Sequence, residues 1–113
     1  MDTITVEELK KRLDAGEKLN IIDVREPHEN AEFNIGATLI PLGKIQTMQI
    51  DELEGLQEEE VIIHCRSGNR SAHAVQVLQA AGYTEVYDLG GLFEWARQGL
   101  PLKLVDQLGD ERD

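Results

Sequence analysis

Apolar positions along the 113-residue chain follow two patterns, one with helical spacing and one of short continuous runs. Helical spacing begins after Thr5, which forms the pattern of a capping box with Glu8, and continues at Val6, Leu9 and Leu13. This spacing predicts helices at 6–15, 28–33, 44–56 (in pieces broken at Gly55), 71–81 and 92–98. The short runs predict strands at 19–24, 38–40, 61–64 and 85–89, with Gly90-Gly91 turning the chain after the last strand.

Strands that alternate with helices predict an α/β fold with a central, mostly parallel sheet flanked by helices. The run Val61-Ile62-Ile63-His64 is rich in β-branched residues and predicts a central strand that is buried on both faces. Cys65 follows this strand directly, at the carboxyl end where α/β folds form their sites. We expect one domain over residues 1–113, with a core at about 3–102 and an acidic tail at 103–113 that is frayed after Leu104.

The charge of the chain is strongly acidic but unevenly distributed. The sequence has 22 acidic and 11 basic residues, a net charge of −11, which argues against a nucleic-acid partner because phosphates would be repelled. Six acids at 51–60 predict a solvated face, whereas residues 61–84 contain no acid and include Arg66 and Arg70. No apolar run is long enough to span a membrane and no secretory signal follows Met1, so we expect a cytoplasmic location.

Cys65 is the single cysteine of the chain. An intramolecular disulfide is therefore impossible, and a disulfide oxidoreductase would lack its second thiol. His28, His64 and His73 belong to different predicted elements, so we expect no metal site. In a strand, the His64 side chain points away from that of Cys65, which argues against a Cys–His catalytic pair. Sulfur transfer, phosphoryl transfer and the absence of any chemistry remain open on these grounds.

The six residues 65–70 connect the central strand to the following helix. The first N–H groups of a helix have no intrahelical partner, and successive N–H groups that face one point form a nest for an anion. Gly68 leaves these groups uncovered and tolerates a positive φ, while two arginines add full positive charges. Surroundings of this kind favour a thiolate, so Cys65 is the candidate nucleophile.

Motifs spread over residues 3–102 match one known family. The segment 61–71 is similar to an active-site loop of that family, and Ile22-Asp23-Val24-Arg25-Glu26-Pro27 is similar to its first motif. The other matching segments are Asn34-Ile35-Gly36-Ala37, Ile40-Pro41-Leu42, Ala81-Gly82-Tyr83, Val86-Tyr87, Leu89-Gly90-Gly91 and Trp95-Ala96. In this order and at this spacing, the motifs resemble the rhodanese domain family, and the resemblance implies a rhodanese-like α/β fold.

The resemblance implies a sulfurtransferase without a cofactor. Cys65 would attack the outer sulfur of a small anionic donor, thiosulfate or another persulfide donor, hold that sulfur as a persulfide, and pass it to a thiophilic acceptor. Arg66 would attract the donor, and Arg70 would close the loop. The implied substrate-binding residues, whose N–H groups would stabilise the persulfide anion, are Arg66, Ser67, Gly68, Asn69 and Arg70. Asp23 and Arg25 are expected either to support the loop or to form a purely structural ion pair.

Two details of the resemblance bear on the substrate. Four residues separate Cys65 from Arg70, whereas the related dual-specificity phosphatases and arsenate reductases have one more, and this favours sulfur over phosphoryl transfer. Phe33-Asn34-Ile35 stands where many members carry Gly-His-Ile, and with Pro27-His28-Glu29 it resembles rhodanese domains attached to the sulfurylases of molybdopterin and thiocarboxylate pathways. That similarity favours a protein as the sulfur acceptor. The alternative is a non-enzymatic sulfur carrier or docking module that uses the acidic segment 51–60.

Overall fold

A central sheet of four parallel strands organises the chain in the computed structural model, which describes residues 2–100 and 103–104. Across the sheet the strands lie in the order β3, β1, β4 and β5. Their bounds are β1 Asn20–Asp23, β3 Thr38–Leu39, β4 Glu60–Cys65 and β5 Glu85–Gly91. The predicted α/β class with a parallel sheet is confirmed. The predicted frayed tail beyond Leu104 lies outside the described residues.

Five helices flank the sheet within the described part of the chain. Their bounds are α1 Val6–Asp14, α2 Pro27–Glu32, α3 Leu42–Gln46, α4 Asn69–Ala80 and α5 Leu92–Arg97, and a short 3₁₀ turn spans Asp51–Leu53. The predicted capping box at the start of α1 is present: the Thr5 hydroxyl accepts from the Glu8 N–H at 3.0 Å, and the Glu8 carboxylate accepts from the Thr5 N–H. None of these helices is long and apolar enough to cross a membrane.

β4 lies between β1 and β5, and its side chains enter two separate cores. Val61, Ile63 and Cys65 belong to a core that is completed by α3 and α4, whereas Ile62 packs with residues of α1 and α5 on the other face. The strand is thus buried on both sides, as its β-branched run predicts. Because side chains alternate along a strand, His64 lies on the Ile62 face and Cys65 on the opposite one.

The structure corrects several predicted boundaries. α2 begins at Pro27 rather than at residue 28, because proline suits the first helical position, where no N–H bond is needed. α4 begins two residues earlier than the predicted start at Ser71. Gly90-Gly91 does not turn the chain: both residues continue β5, with a bulge where the pairing passes from Ile63–Asp88 to His64–Gly90.

A small antiparallel pair was not predicted from the sequence. It joins β2 (Phe33–Asn34) to β6 (Lys103–Leu104) and lies apart from the main sheet. Two-residue strands carry too short a pattern to be recognised, and their partner is distant in sequence.

Truncation of Ile63 should destabilise the strand that carries Cys65. Ile63 is wholly buried in the core beneath the loop. We expect Ile63→Ala to lower the free energy of unfolding by about 2–5 kcal/mol, because it leaves a cavity, and the matched variant Ile63→Val to cost only about 0.5–1.5 kcal/mol. Urea denaturation measures both values. Equal, small losses in the two variants would contradict the central position assigned to β4.

Candidate active site

The thiol of Cys65 is held inside the loop that follows β4. The side chain has an exposed fraction of 0%. The N–H of Gly68 donates a hydrogen bond to its Sγ at 2.9 Å. The Ser71 hydroxyl lies 3.4 Å from Sγ and donates to the carbonyl oxygen of Gly68 at 3.0 Å. The sulfur therefore has a backbone donor on one side and a buried hydroxyl on the other.

Gly68 gives the loop its shape. It precedes α4 with φ 106° and ψ −18°, in the left-handed region that glycine adopts without steric cost. This conformation turns the chain from the strand into the helix within three residues, so the amino end of α4 faces Cys65. The Gly68 N–H, directly before the helix, is thereby brought to the sulfur.

Gly91 makes room for the loop on the neighbouring strand. It is the pairing partner of Cys65 in β5. A methyl group on Gly91 would overlap the carbonyl oxygen of Arg66 and lie only 2.7 Å from the Cα of Ser67. The loop backbone therefore crosses β5 at a distance that only glycine permits.

Arg66, in the loop, and Arg70, in the first turn of α4, have different electrostatic surroundings. Arg70 forms a two-pronged ion pair with Glu29 of α2, at 2.6 Å and 2.9 Å. Hydrogen bonds from Arg70 lower the pKa of Glu29 to about 2, and Glu29 in turn raises the pKa of Arg70. Arg66 is exposed and, among the described residues, has no carboxylate within ion-pair distance. Arg66 is thus the loop's available positive charge, while that of Arg70 is neutralised.

Asp23 and Arg25 form a wholly buried ion pair. The Arg25 guanidinium donates to both carboxylate oxygens of Asp23, at 2.9–3.1 Å, and to the carbonyl oxygen of Phe33 at 2.8 Å. It also lies over the Phe33 ring, 5.0 Å from its centroid. Asn30 donates to Asp23 at 3.0 Å. The pair ties β1 to β2 and makes no hydrogen bond to Cys65 within the described residues, which fits the structural alternative considered for it.

His64 belongs to the same buried cluster. It pairs with Asp23 on the neighbouring strand, and neither of its ring nitrogens has a hydrogen-bond partner among residues 2–100 and 103–104. Burial lowers the pKa of His64 to about 4; Asp23 opposes this shift and Arg25 adds to it. His64 is therefore neutral near pH 7 and lies on the opposite face of the sheet from Cys65, so it is not placed to act as a base for the thiol.

Two depressions flank the loop, with Phe93 between them. One, of about 360 Å³, is lined by Ser67, Gly91, Phe93, Glu94 and Arg97. The other, of about 140 Å³, is lined by Phe33, Arg66, Leu92, Phe93 and Ala96. Within the described residues, no group of three or more His, Cys, Asp or Glu side chains could hold a metal ion.

The structure places Cys65 at the end of β4, residues 66–68 in the connecting loop and Asn69 and Arg70 in the first turn of α4, so the loop is shorter than the predicted six residues. Arg66, Ser67 and Asn69 are exposed, whereas the thiol is buried. Three further residues were not singled out from the sequence: Ser71, Glu29 and Gly91. Ser71 and Gly91 carry only weak local signals, a hydroxyl residue near the start of a helix and a Gly-Gly pair that ends a strand. Glu29 lies 41 residues from Arg70, and no local pattern indicates that contact.

Comparison with known proteins identifies the family. The model of the rhodanese-like domain matches residues 5–98, so the chain belongs to the rhodanese-like domain family. A "Sulfurtransferase" of Allochromatium vinosum is 36% identical over 104 residues, which cover 90% of this chain and 94% of that protein. The "Probable adenylyltransferase/sulfurtransferase MoeZ" of Mycobacterium tuberculosis is 40% identical over 105 residues. The match covers 88% of this chain but only 26% of MoeZ, so the chain spans about a quarter of that relative's length.

A solved structure of similar size has the same fold. The rhodanese-like domain protein of Staphylococcus aureus superposes with a TM-score of 0.75 at 35% identity, covering 91% of this chain and 99% of that one. The predicted rhodanese-like fold is therefore confirmed.

A side chain at position 91 should displace the loop. We expect Gly91→Ala to lower the free energy of unfolding by about 1–3 kcal/mol, because the methyl group overlaps loop backbone. Cys65 should then be alkylated faster by iodoacetamide, since its cover is lifted. Gly43→Ala is the matched control, because a methyl group there meets nothing within 4 Å and φ is not positive. If Gly91→Ala and Gly43→Ala had the same free energy of unfolding and the same alkylation rate, the close approach of the loop to Gly91 would be wrong.

The buried His64 should make stability depend on pH. Its pKa is lowered from 6.5 to about 4 in the folded protein, so the unfolded chain binds the proton more readily. The stabilising contribution of neutral His64 is present above pH 6.5 and is lost as the pH falls towards 4, by about 3 kcal/mol in total. Glu29 also makes stability depend on pH, but at lower pH, because folding lowers its pKa from 4.5 to about 2. The change between pH 4.5 and 6.5 is therefore separate from the effect of Glu29.

Urea denaturation between pH 4.5 and 7 tests this dependence. His64→Gln should flatten the slope of unfolding free energy against pH, whatever its overall stability. His28→Gln, at an exposed position, should leave the slope unchanged. An unaltered slope in His64→Gln would show that another group causes the pH dependence.

Proposed function

We propose that this chain is a sulfurtransferase in which Cys65 accepts a sulfane sulfur from thiosulfate or another persulfide donor and delivers it to a thiophilic acceptor. One observation carries the proposal: the thiol lies at the amino end of α4 with the Gly68 N–H bonded to its sulfur at 2.9 Å. Membership of the rhodanese-like family and the sulfurtransferase names of its relatives support a transferase role.

The chemistry needs an anionic sulfur before and after transfer. A thiolate attacks the outer sulfur of the donor, and the resulting persulfide carries its negative charge on the terminal sulfur. The N–H groups of the loop and the dipole of α4 favour both anions. Ser71 adds a rotatable hydroxyl, which accepts a hydrogen bond from the neutral Cys65 thiol. Once Cys65 has lost its proton, the same hydroxyl would rotate and donate a hydrogen bond to the thiolate.

Arg66 and Arg70 would then serve different purposes. Because Glu29 neutralises Arg70, that side chain would tie the start of α4, and with it the end of the loop, to α2. Arg66 has no such partner among the described residues and would attract the anionic donor. Asp23 and Arg25 would support the site from the other face of the sheet, by fixing Phe33 beside Arg66.

The burial of Cys65 sets a condition on the reaction. The Cys65 side chain has an exposed fraction of 0%, so a donor sulfur would reach it only after the loop moves away. The loop has exposed residues on its outer side, so a small displacement requires no disruption of the core. The same cover would protect a persulfide from water and oxidants between the two steps.

The two alternatives are less well supported. Phosphoryl transfer would need a wide anion cradle, whereas here the Gly68 N–H already contacts the sulfur and Arg70 is held by Glu29. A docking module based on the acidic segment 51–60 would bind a partner far from the thiol. That segment ends at Glu60, the first residue of β4, and Cys65 ends the same strand about 17 Å away. A protein acceptor, and a cytoplasmic location, stay predictions.

Loading with sulfur tests the proposal directly. We expect the intact mass of the protein to rise by one sulfur atom after incubation with thiosulfate and to return after a thiol reductant is added. Cys65→Ser should show no gain, and Ser67→Ala, which keeps the thiol, should still load. A sulfur retained by Cys65→Ser would refute the role of Cys65. Loading without turnover on any low-molecular-weight thiol would favour the non-enzymatic carrier.

A further inference from the structure

The carboxylate of Glu29 is held from two sides. Both terminal nitrogens of the Arg70 guanidinium donate to it, at 2.6 Å and 2.9 Å. The backbone N–H of Glu26 donates to Oε1 of Glu29 at 2.9 Å, as part of the capping box that begins α2. Glu29 is buried, whereas Arg70 is partly exposed. The fold of α2 thus positions a carboxylate for this arginine.

The positive charge of Arg70 acts on the sulfur of Cys65. Glu29 is the main cause of the raised pKa of Arg70, and Cys65 contributes to the same shift. The guanidinium and the thiol therefore interact electrostatically, on the side of the loop where the Gly68 N–H contacts the sulfur. A free cation at this position would attract any small anion that enters the loop.

The Arg70 guanidinium has the chemistry to bind an inorganic oxyanion. The planar fork of an arginine matches a carboxylate and a phosphate alike, because each presents two oxygens to a pair of parallel N–H bonds. Backbone N–H groups before a helix, combined with a free cation, are a common arrangement for binding phosphate. Here both terminal nitrogens already donate to Glu29, which therefore occupies the position of a bound oxyanion.

We propose that Glu29 determines which anions the loop accepts, because it occupies Arg70 and so excludes phosphate and sulfate. The inference deepens the proposed sulfur transfer and rests on it for its purpose. A sulfur anion is held by the Gly68 N–H, whereas a tetrahedral oxyanion requires further donors. With Arg70 occupied, the oxygens of a donor such as thiosulfate are left to the exposed Arg66, and its sulfur end points inward to Cys65. Glu29 is then a positioning residue that acts through Arg70.

A purely structural role of the ion pair makes a different prediction. If the pair serves only to tie α2 to α4, its loss lowers stability and leaves the anion preference unchanged. The pair of Arg12 and Glu60 provides the matched comparison, because it also has two hydrogen bonds between its side chains. It joins α1 to the first residue of β4, at the opposite end of that strand from Cys65.

Titration with inorganic phosphate, followed through the backbone amide resonances of Gly68 and Arg70, tests the inference. Sodium chloride keeps the ionic strength constant, so that general screening does not change. Glu29→Gln keeps the size of the side chain but removes its charge and one acceptor oxygen. We expect this variant to bind phosphate at least about tenfold more tightly than the parent protein. Glu60→Gln changes the net charge equally and should bind no more tightly than the parent, so equal affinities in the two variants would overturn the inference.

Two further measurements separate an occupied arginine from a disturbed loop. In the double variant Glu29→Gln/Arg70→Gln the fork is gone, so the gained phosphate affinity should disappear, and its persistence would refute the role of Arg70. The side-chain Nε–H resonance of Arg70 in the parent protein requires no variant and applies even if Glu29→Gln does not fold. Phosphate should leave this resonance in place, whereas a saturable shift would contradict the exclusion.

Phosphate binding does not depend on sulfur transfer, so the two proposals fail separately. Loading of the parent with thiosulfate, without a gain of phosphate affinity in Glu29→Gln, would uphold the transferase and refute the exclusion. A gain of phosphate affinity in Glu29→Gln, without loading of the parent by any sulfur donor, would uphold the exclusion and refute the transferase. Where both hold, phosphate should slow the loading of Glu29→Gln and leave that of the parent and of Glu60→Gln unchanged.

Discussion

The loop after β4 can follow its course only because Gly91 has no side chain. Its backbone passes over β5 so closely that a single methyl group would overlap Arg66 and crowd Ser67. Because the loop lies so close to β5, the Gly68 N–H reaches the sulfur of Cys65 and α4 begins at Asn69. The backbone hydrogen bond to the sulfur therefore depends on packing between the loop and β5, while the Ser71 hydroxyl supplies the side-chain contact.

Charge in the site is divided between two arginines with different environments. Arg70 of α4 forms an ion pair with Glu29 of α2 and so joins two helices that are far apart in sequence. Arg66 faces solvent beside an apolar depression. The net charge of −11 repels anions from the protein as a whole, whereas Arg66, which has no carboxylate partner in the described part of the chain, attracts an anion locally to the loop.

The sequence predicts the sheet, the helices and the loop better than it predicts the residues around the two depressions beside the loop. The β-branched run before Cys65 and the capping box at Thr5 are strong local patterns, so β4, α1 and the position of the thiol follow from them. The Glu29–Arg70 pair could not be predicted, because it joins residues far apart in sequence. The same holds for the contact of Phe93 with the loop depressions, which depends on how α5 is oriented by the strand before it. The bulge in β5 was mistaken for a turn, because two adjacent glycines indicate either.

That bulge has a consequence for the length of the chain. β5 has one residue more than β4 between the pairs Ile63–Asp88 and His64–Gly90, and α5 begins directly after Gly91. The extra residue is Leu89, which is buried with residues of α1 and α5. Deleting it would restore regular pairing and keep Gly91 opposite Cys65, but it would remove the bend and the extra twist that a bulge gives a strand, directly before α5. Family members that differ here by one residue should therefore differ in the direction in which α5 leaves the sheet, even where every residue of the loop is the same.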